Sequence, residues 1–405
     1  MKPLLSIVIP THNRSQYAIH SIQSILSFNQ EGMELIVSDT STDGKLEVLV
    51  EQLDAANSCV TLNYTKHSTR LDMTENHNFA LSQATGEYMC LIGDDDSVSP
   101  ELYDVTKWAK ERNIELITPK VSASYNWPDF ITKVYGDKHC TRLYLPNKIG
   151  GFELKDSKLA LLDALDRSCQ GTDGLPKLYH GLVKASLLSE LHSKTGGYVH
   201  GSSPDMSAAI GLAFISKDFY ELDYPLTIPG ASRGSNTGRS ALNKHKGKMS
   251  SESQTSAFIK FGWNKLIPKF FSVETVWSHA AIVTLERLDP EYINQFNFLN
   301  LYALCEHKHS DYASEIKISE DSYSADRELP QSKMRRNVSM YKYKYLCQRF
   351  AYMFRRLLTP TPAGGKSFVS GIENVSETPI ALMSYLEKKG FSLSSILSKN
   401  IVKKG

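Results

Sequence analysis

Three adjacent carboxylates, Asp94-Asp95-Asp96, stand directly after the apolar run Tyr88-Met89-Cys90-Leu91-Ile92 and the turn residue Gly93. Three acids at the end of a buried strand repel one another. A divalent cation relieves that repulsion, because Mg²⁺ and Mn²⁺ take hard oxygen ligands and bridge them to phosphate. A solvated acidic turn ahead of the helix near Pro100 is the plainer reading of the same triplet. A further carboxylate, Asp205, follows Pro204 at the head of an Ala-rich segment. The pair places Asp205 in the first turn of a helix, where the helix dipole keeps a carboxylate charged. A charged carboxylate within reach of a hydroxyl can act as a general base, although a simple helix cap is the alternative. Asp173, in Gln170-Gly171-Thr172-Asp173-Gly174, is the reserve for that role.

These groups need a frame. Apolar runs at 5–9, 34–38, 59–64, 88–92 and 114–118 read as strands. Between them, 15–28, 44–53, 74–84 and 100–112 carry helical spacing, the last opened by Ser99 as N-cap and Pro100 at the first helical position. Strand and helix alternating at this pace predict a parallel, doubly wound α/β sheet, which binds ligands beyond the carboxyl ends of its strands. The polar clusters fall at those ends: Pro10-Thr11-His12-Asn13-Arg14, then Ser38-Asp39-Thr40, then the aspartate triplet. Segment 121–240 is irregular and rich in Gly, Pro and Tyr, as acceptor-side loops would be. Gly230 to Ser253 reads as a mobile loop or linker, and from about Thr255 helical patterns such as 273–288, 291–305 and 333–358 take over.

The chain's 405 residues, 41% hydrophobic and 22% charged, suit a globular protein with a real core. A net charge of +2 gives no global attraction for nucleic acid. Six cysteines without a CxxC pair read as reduced thiols rather than disulfides or a zinc site. No run reaches eighteen apolar residues, so neither a leader nor a membrane span is expected, and the expected location is the cytoplasm.

The ordered motifs VIPTHNR (8–14), VSDTS (37–41), ATGEY (84–88) and GDDD (93–96) resemble the GT-A nucleotide-sugar glycosyltransferases of family 2. The resemblance is close over residues 4–118 and thins afterwards. It implies a GT-A fold, Rossmann-like with a mostly parallel central sheet, followed by a C-terminal helical region. The implied boundaries are 1–240 for the transferase domain, with a nucleotide half at 1–120 and an acceptor half at 121–240, and 255–405 for the helices.

The resemblance also assigns roles. Pro10, Thr11, Asn13, Arg14 and Arg70 would line the nucleotide pocket. Asp39 would read an imide N–H of a pyrimidine, which favours a UDP-sugar. Asp96 would be the direct ligand of Mn²⁺ or Mg²⁺, with Asp94 and Asp95 on ribose hydroxyls or metal waters. The family more often carries an acid where this chain has Gly93, so the division of labour among the aspartates stays open. Asp205 would take the acceptor's proton in an inverting transfer to a surface glycan or a lipid-linked glycan. His12 and His77 read as structural, and Asn76 and Asn78 as ties between loop and sheet or as ligand contacts.

Three downstream features carry less. Tyr179-His180-Gly181 would line the acceptor side, and Arg233 would either close over the diphosphate or sit in solvent. Gly364-Gly365-Lys366-Ser367 lacks the leading glycine and the strand of a phosphate-binding loop. Residues 333–358 repeat apolar side chains at 3,4 spacing with eight Lys/Arg and no acid. A helix docked on the protein is the favoured reading; a basic amphipathic helix on the inner face of an anionic membrane is the other. The alternatives to transfer are a non-catalytic glycan-binding subunit and a sugar nucleotidyltransferase, the latter opposed by the lack of a Gly-rich loop after the first strand.

Overall fold

The computed structural model describes residues 2–121, 123–242, 245–252, 255, 258, 262–358 and 365–399. In chain order the N-terminal elements are β1 (Leu5–Thr11), α1 (Ser15–Leu26), β2 (Met33–Asp39), α2 (Lys45–Glu51), β3 (Thr61–Lys66), α3 (Met73–Gln83), β4 (Tyr88–Leu91), β5 (Ser97–Val98), α4 (Leu102–Glu111) and β6 (Leu116–Pro119). Then come β7 (Ser124–Asn126), β8 (Arg142–Leu145), β9 (Phe152–Asp156), α5 (Ser157–Asp166), β10 (Leu182–Lys184), α6 (Ala185–Thr195), α7 (Pro204–Ile215), β11 (Asp218–Leu222), β12 (Thr227–Ile228), β13 (Gly230–Ala231) and α8 (Asn236–Ala241). The rest is β14 (Lys246–Gly247), β15 (Phe271–Ser272), α9 (Val273–Leu288), α10 (Phe298–Lys308), α11 (Ala313–Asp326), α12 (Gln331–Leu358), β16 (Ser367–Ser370), α13 (Thr378–Lys388) and α14 (Leu393–Lys399).

Eight strands form the central sheet in the order β3-β2-β1-β4-β10-β6-β11-β9. Four of the seven pairings are parallel, so the α/β fold with a mostly parallel sheet is the one expected. β1 and β2 are buried along their whole length, which explains why they read as continuous apolar runs rather than alternating ones. Ile7 and Ile9 point to one core with Ile22, Leu35 and Val105, while Val8 points to the other with Leu81, Leu91 and Leu212. The order reverses between β1 and β4: β2 and β3 lie to one side of β1, and later strands lie beyond β4. That switch leaves a crevice at the carboxyl ends, where Arg14 follows β1 and the aspartates follow β4.

Several expectations shift. β10, inside the segment read as acceptor-lining, runs antiparallel in the middle of the sheet between β4 and β6. The helix expected from Pro100 starts at Leu102, because Ser97–Val98 pair with β12 and the Ser99 N–H continues that ribbon to the Leu226 carbonyl at 2.9 Å. The stretch from Gly230, read as a loop, holds α8, whose N-cap Ser235 accepts from the Gly238 N–H. Residues 243, 244 and 253 of that stretch lie outside the described residues, as does Gly364 of the rejected phosphate loop.

In the expected C-terminal helical region, α9, α10 and the start of α12 share a second core with α5 and α7 through Leu165, Met206, Leu285, Tyr302 and Met334. The last segment does something else. β16 pairs antiparallel with β8, and Leu382, Leu386 and Leu393 join the core beneath β1 and β2. For α12, only the N-terminal part is docked as the favoured reading required; from Leu346 the described side chains are exposed. All six cysteines are free thiols. Among the described residues no helix is long and apolar enough to cross a membrane.

Candidate active site

The floor of the crevice is a charge cluster built from two strand ends. Arg14 ends the β1–α1 loop, and its guanidinium spans two aspartates, with Nε 2.8 Å from Asp94 Oδ1 and one terminal nitrogen 2.7 Å from Asp95 Oδ2. The planar fork of arginine suits such bridging better than an ammonium would. Asp94 also accepts from Thr11 Oγ1 at 2.6 Å. Asp95 Oδ2 accepts from the Ser232 hydroxyl at 2.6 Å, and Ser232 accepts in turn from Arg14 at 2.7 Å.

Asp96 faces the other way. Its Oδ2 accepts from the Gly93 N–H at 2.6 Å, the Tyr179 hydroxyl at 3.2 Å and lies 3.2 Å from His180 Nε2, while Oδ1 accepts from the Gly230 N–H at 2.6 Å. Gly93 now has a reason. A Cβ there would collide with the Tyr179 hydroxyl and stand 2.8 Å from Asp96 Oδ2, so the acid that the family more often carries has no room. Gly230 is needed as well, since its own Cβ would run into the Asp95 carbonyl.

The three carboxyls titrate apart because their surroundings differ. Burial pushes Asp95 up to about 7 against the pull of Arg14, with Asp96 and Asp94 adding to the rise. Burial likewise raises Asp94, opposed by Arg14 and Thr11. Burial works against ionised Asp96 too, but His180 and the Gly230 and Gly93 amides outweigh it and hold Asp96 below the usual carboxylate range. Burial would lower the Arg14 guanidinium, yet the two aspartates raise it.

A divalent ion must be tested against this donor set. Among the described residues no group of three or more His, Cys, Asp or Glu is arranged to hold a metal. Asp96, expected as the direct ligand, has both oxygens turned to protein donors. Among the described residues, Asp95 Oδ1 is the carboxylate oxygen of the cluster without a hydrogen bond, and Asp95 lines the cleft. One carboxylate oxygen with a diphosphate and waters satisfies Mg²⁺ or Mn²⁺, which rarely sit in all-protein cages. The residues therefore fit a one-carboxylate site completed by the substrate.

The cleft above the cluster has a volume of about 700 Å³, large enough for a nucleotide-sized ligand. Pro10, Thr11, Arg14, Arg70, Asp94, Asp95, Asp96 and Asp205 all line it. Asp205 lies in the first turn of α7, and the Ser203 hydroxyl donates to its Oδ1. Its loop is held from α3: Asn78 bonds the Tyr198 N–H and the Val199 carbonyl, and Thr74 donates to the Gly201 carbonyl at 2.6 Å. Asn78 is thus a tie between loop and helix. Asn76 ties α3 to the strand ends, accepting from Ser38 at 2.6 Å and donating to the Thr11 carbonyl at 3.2 Å.

Other expected residues fall elsewhere. Asp39 is fully buried, with Oδ1 on the Ser41 N–H at 2.7 Å and Oδ2 on the Tyr64 hydroxyl at 2.7 Å and Lys66 at 3.3 Å. It underpins the pocket wall at Thr40 rather than facing the cleft. Asn13, at φ +54°, spends its carbonyl oxygen on the Thr42 N–H at 2.8 Å and locks the β1–α1 loop to the β2–α2 loop. Asp173 is on the surface, and Arg233 is an exposed residue whose N–H reaches Asp129 at 3.3 Å.

Sequence reading missed Ser232, Tyr179 and His180 as partners of the aspartates, since these contacts close across more than eighty residues. It also missed Arg239, which lines the cleft and pairs with Glu252 at 2.7 Å. His77 lines the cleft as well; burial lowers it to about 4 despite the Met73 carbonyl and the charge of Asp205, so its ring is neutral at pH 7.

Residues 6–159 match the family model described as Glycosyl transferase family 2. The GalNAc(5)-diNAcBac-PP-undecaprenol beta-1,3-glucosyltransferase of Campylobacter jejuni is 28% identical over 96 residues, covering 24% of this chain and 31% of that protein. A hyaluronan synthase of Pasteurella multocida is 29% identical over 141 residues, covering 32% of this chain and 14% of the synthase. The chain thus spans less than half the length of these curated relatives. Residues 1–349 of S. aureus TarS, solved with UDP-GlcNAc, align over 80% of this chain and 92% of that one, with 16% identity and a TM-score of 0.44. The stretch similar to the glycosyl transferase family 2 model contains Arg14, Asp39 and the aspartate triplet.

Proposed function

We propose that the chain transfers a sugar from a nucleoside-diphosphate donor to a hydroxyl of a surface glycan or lipid-linked glycan, with inversion at the anomeric carbon. The observation that carries this reading is that one cleft holds both the Arg14–Asp94–Asp95–Asp96 cluster at the switch of the sheet and Asp205 at the head of α7. The diphosphate would sit by the cluster and the acceptor by Asp205. Relatives named for glucosyl transfer to a lipid-linked glycan and for hyaluronan synthesis support the substrate class.

The chemistry then divides between the ends of the cleft. Asp205 accepts the proton of the acceptor hydroxyl as its oxygen bonds to the anomeric carbon. The bond from that carbon to the diphosphate breaks on the opposite face, and the nucleoside diphosphate departs with the electron pair. Arg70 and Arg239 offer positive charge to the departing diphosphate from the cleft wall. His77, neutral and with its Nδ1 on the Met73 carbonyl at 2.7 Å, adds no competing cation beside Asp205. Mn²⁺ or Mg²⁺ would be held by Asp95, and when bound would neutralise the charge that builds on the diphosphate.

Thermal-shift screening of UDP, GDP and their sugars, each with and without Mn²⁺, tests the donor half, because a ligand bound by the native state raises the melting temperature. At least one nucleoside diphosphate and its sugar should stabilise the chain, and slow hydrolysis of that nucleotide sugar should accompany binding. No shift with any nucleotide defeats the donor reading, and binding without hydrolysis or transfer leaves a glycan-binding protein.

A further inference from the structure

α12 is 28 residues long and is docked by one face only. Met334 and Val338 are buried and Tyr341 is partly buried against the second core, where α12 packs on α10. Lys342 pairs with Glu306 at 3.2 Å and Arg349 reaches His307 at 3.3 Å along one edge of that contact. Beyond it the helix runs on into solvent.

The face turned away from the docked one is apolar. Met340 is 59% exposed, Tyr343 71%, Phe350 73%, Phe354 62% and Leu357 76%, with Leu346 and Met353 widening the band. At 3.6 residues per turn these positions fall in a stripe roughly 140° wide. Lys342 and Arg349 border the stripe on one side and Lys344 on the other. Residues 331–358 contain eight Lys/Arg and not one Asp or Glu.

An exposed apolar stripe of this extent marks an interaction surface. Two partners match a helical apolar stripe: a second copy of the chain in a coiled coil, or a lipid bilayer. The charges decide between them. A coiled coil joins helices by pairing opposite charges at the borders of the seam, whereas two copies of α12 would set Lys and Arg against Lys and Arg. The stripe is also wider than a two-position seam and is filled with Phe and Tyr, side chains that settle at the headgroup level of a membrane. Basic side chains bordering it can extend their stems over apolar surface and place their charges on anionic headgroups.

We propose that residues 340–358 of α12 dock the protein on an anionic lipid surface, lying in the interface plane with Tyr343, Phe350, Phe354 and Leu357 inserted and Lys344 and Arg349 on the headgroups. This surface would hold the chain where lipid-linked substrates are found, but the inference stands on α12 alone and not on the donor reading.

Co-sedimentation of the full chain with vesicles tests it. Phosphatidylcholine vesicles containing phosphatidylglycerol should bind at least tenfold more strongly than phosphatidylcholine alone, and the difference should shrink as salt rises from ~0.05 to 0.5 M. Phe350→Ser with Phe354→Ser should lower that partition roughly tenfold or more, as should Lys344→Glu with Arg349→Glu. Phe350 and Phe354 are exposed side chains outside the α10 contact, so with that pair the melting temperature and nucleotide-induced thermal shift should stay at the parent values, which separates this test from the donor site. Equal binding to neutral and anionic vesicles, or none to either, overturns the proposal. A concentration-dependent dimer that the Phe350→Ser, Phe354→Ser pair abolishes, with no vesicle binding by the parent, assigns the stripe to a second copy and overturns it too.

Discussion

The Arg14 guanidinium lies 2.8 Å from Asp94 and 2.7 Å from Asp95, so the end of the first strand supplies a fixed cation to acids at the end of the fourth. Arg14 keeps only a fifth of its side chain exposed and the acids less than a tenth. Removing one member of a buried pair leaves an uncompensated charge, which costs far more than an exposed pair contributes. Arg14→Met should destabilise the protein by roughly 3–5 kcal/mol in urea or thermal unfolding. Arg14→Lys should fall between, since a single ammonium cannot replace a fork that spans two carboxylates.

The pH dependence of ligand binding should report Asp95. Its carboxyl is raised to about 7 from an ordinary value near 3.8. Between these values the folded state binds more protons than the unfolded one, so the contribution of Asp95 to stability falls as pH rises toward 7. A cation or a cation-bound nucleotide that needs the ionised form must displace that proton. Stabilisation by Mn²⁺ with the nucleoside diphosphate should therefore grow from pH 6 to pH 8, with the affinity changing up to about tenfold per unit below the carboxyl's pKa. Asp95→Asn should flatten the profile, which thermal-shift titrations at several pH values would show.

Gly93 and Tyr179 should be coupled. A methyl at position 93 meets the Tyr179 hydroxyl, and overpacking of this kind costs roughly 1–3 kcal/mol. Gly93→Ala should destabilise by about that much, and adding Tyr179→Phe should recover part of the loss by removing the oxygen. Additive losses in the double-mutant cycle would show that the collision is relieved elsewhere.

Asp205→Asn should lower kcat for transfer roughly 10²- to 10⁴-fold, the usual contribution of a general base. The nucleotide-sugar thermal shift should be unchanged, because Asp205 stands at the head of α7 and not in the cluster at the strand ends. Full transfer activity in the folded variant would remove Asp205 from the base role.

Much of the N-terminal half was legible because local chemistry and tertiary role agree there. Ile7, Val8 and Ile9 read as a strand with both faces buried, and they are one. Pro204-Asp205 read as the head of a helix, and α7 starts at Pro204. Where long-range pairing overrode local signals, the reading shifted. Ser99-Pro100 has the chemistry of a helix start, but pairing of Ser97–Val98 with Thr227–Ile228 delays the helix to Leu102. The polar stretch from Gly230 looks like a loop by composition, yet its Gly230 N–H and Ser232 hydroxyl are hydrogen-bonded to Asp96 and Asp95.

The sequence alone determined the alternation of strands and helices, the end of the sheet at which polar residues collect, and the triplet of acids facing a crevice. Those properties follow from spacing and residue type along the chain. The tertiary structure decided how the acids are shared out: Asp94 and Asp95 to Arg14, Asp96 to His180, Tyr179 and two backbone amides. It decided that Asp39 stands under the pocket wall and that one face of α12 is left bare. The physical reason is the same in each case. A carboxyl's pKa, the room at Gly93 and the exposure of a helix face depend on groups brought together from distant parts of the chain, and no local pattern records which groups those are.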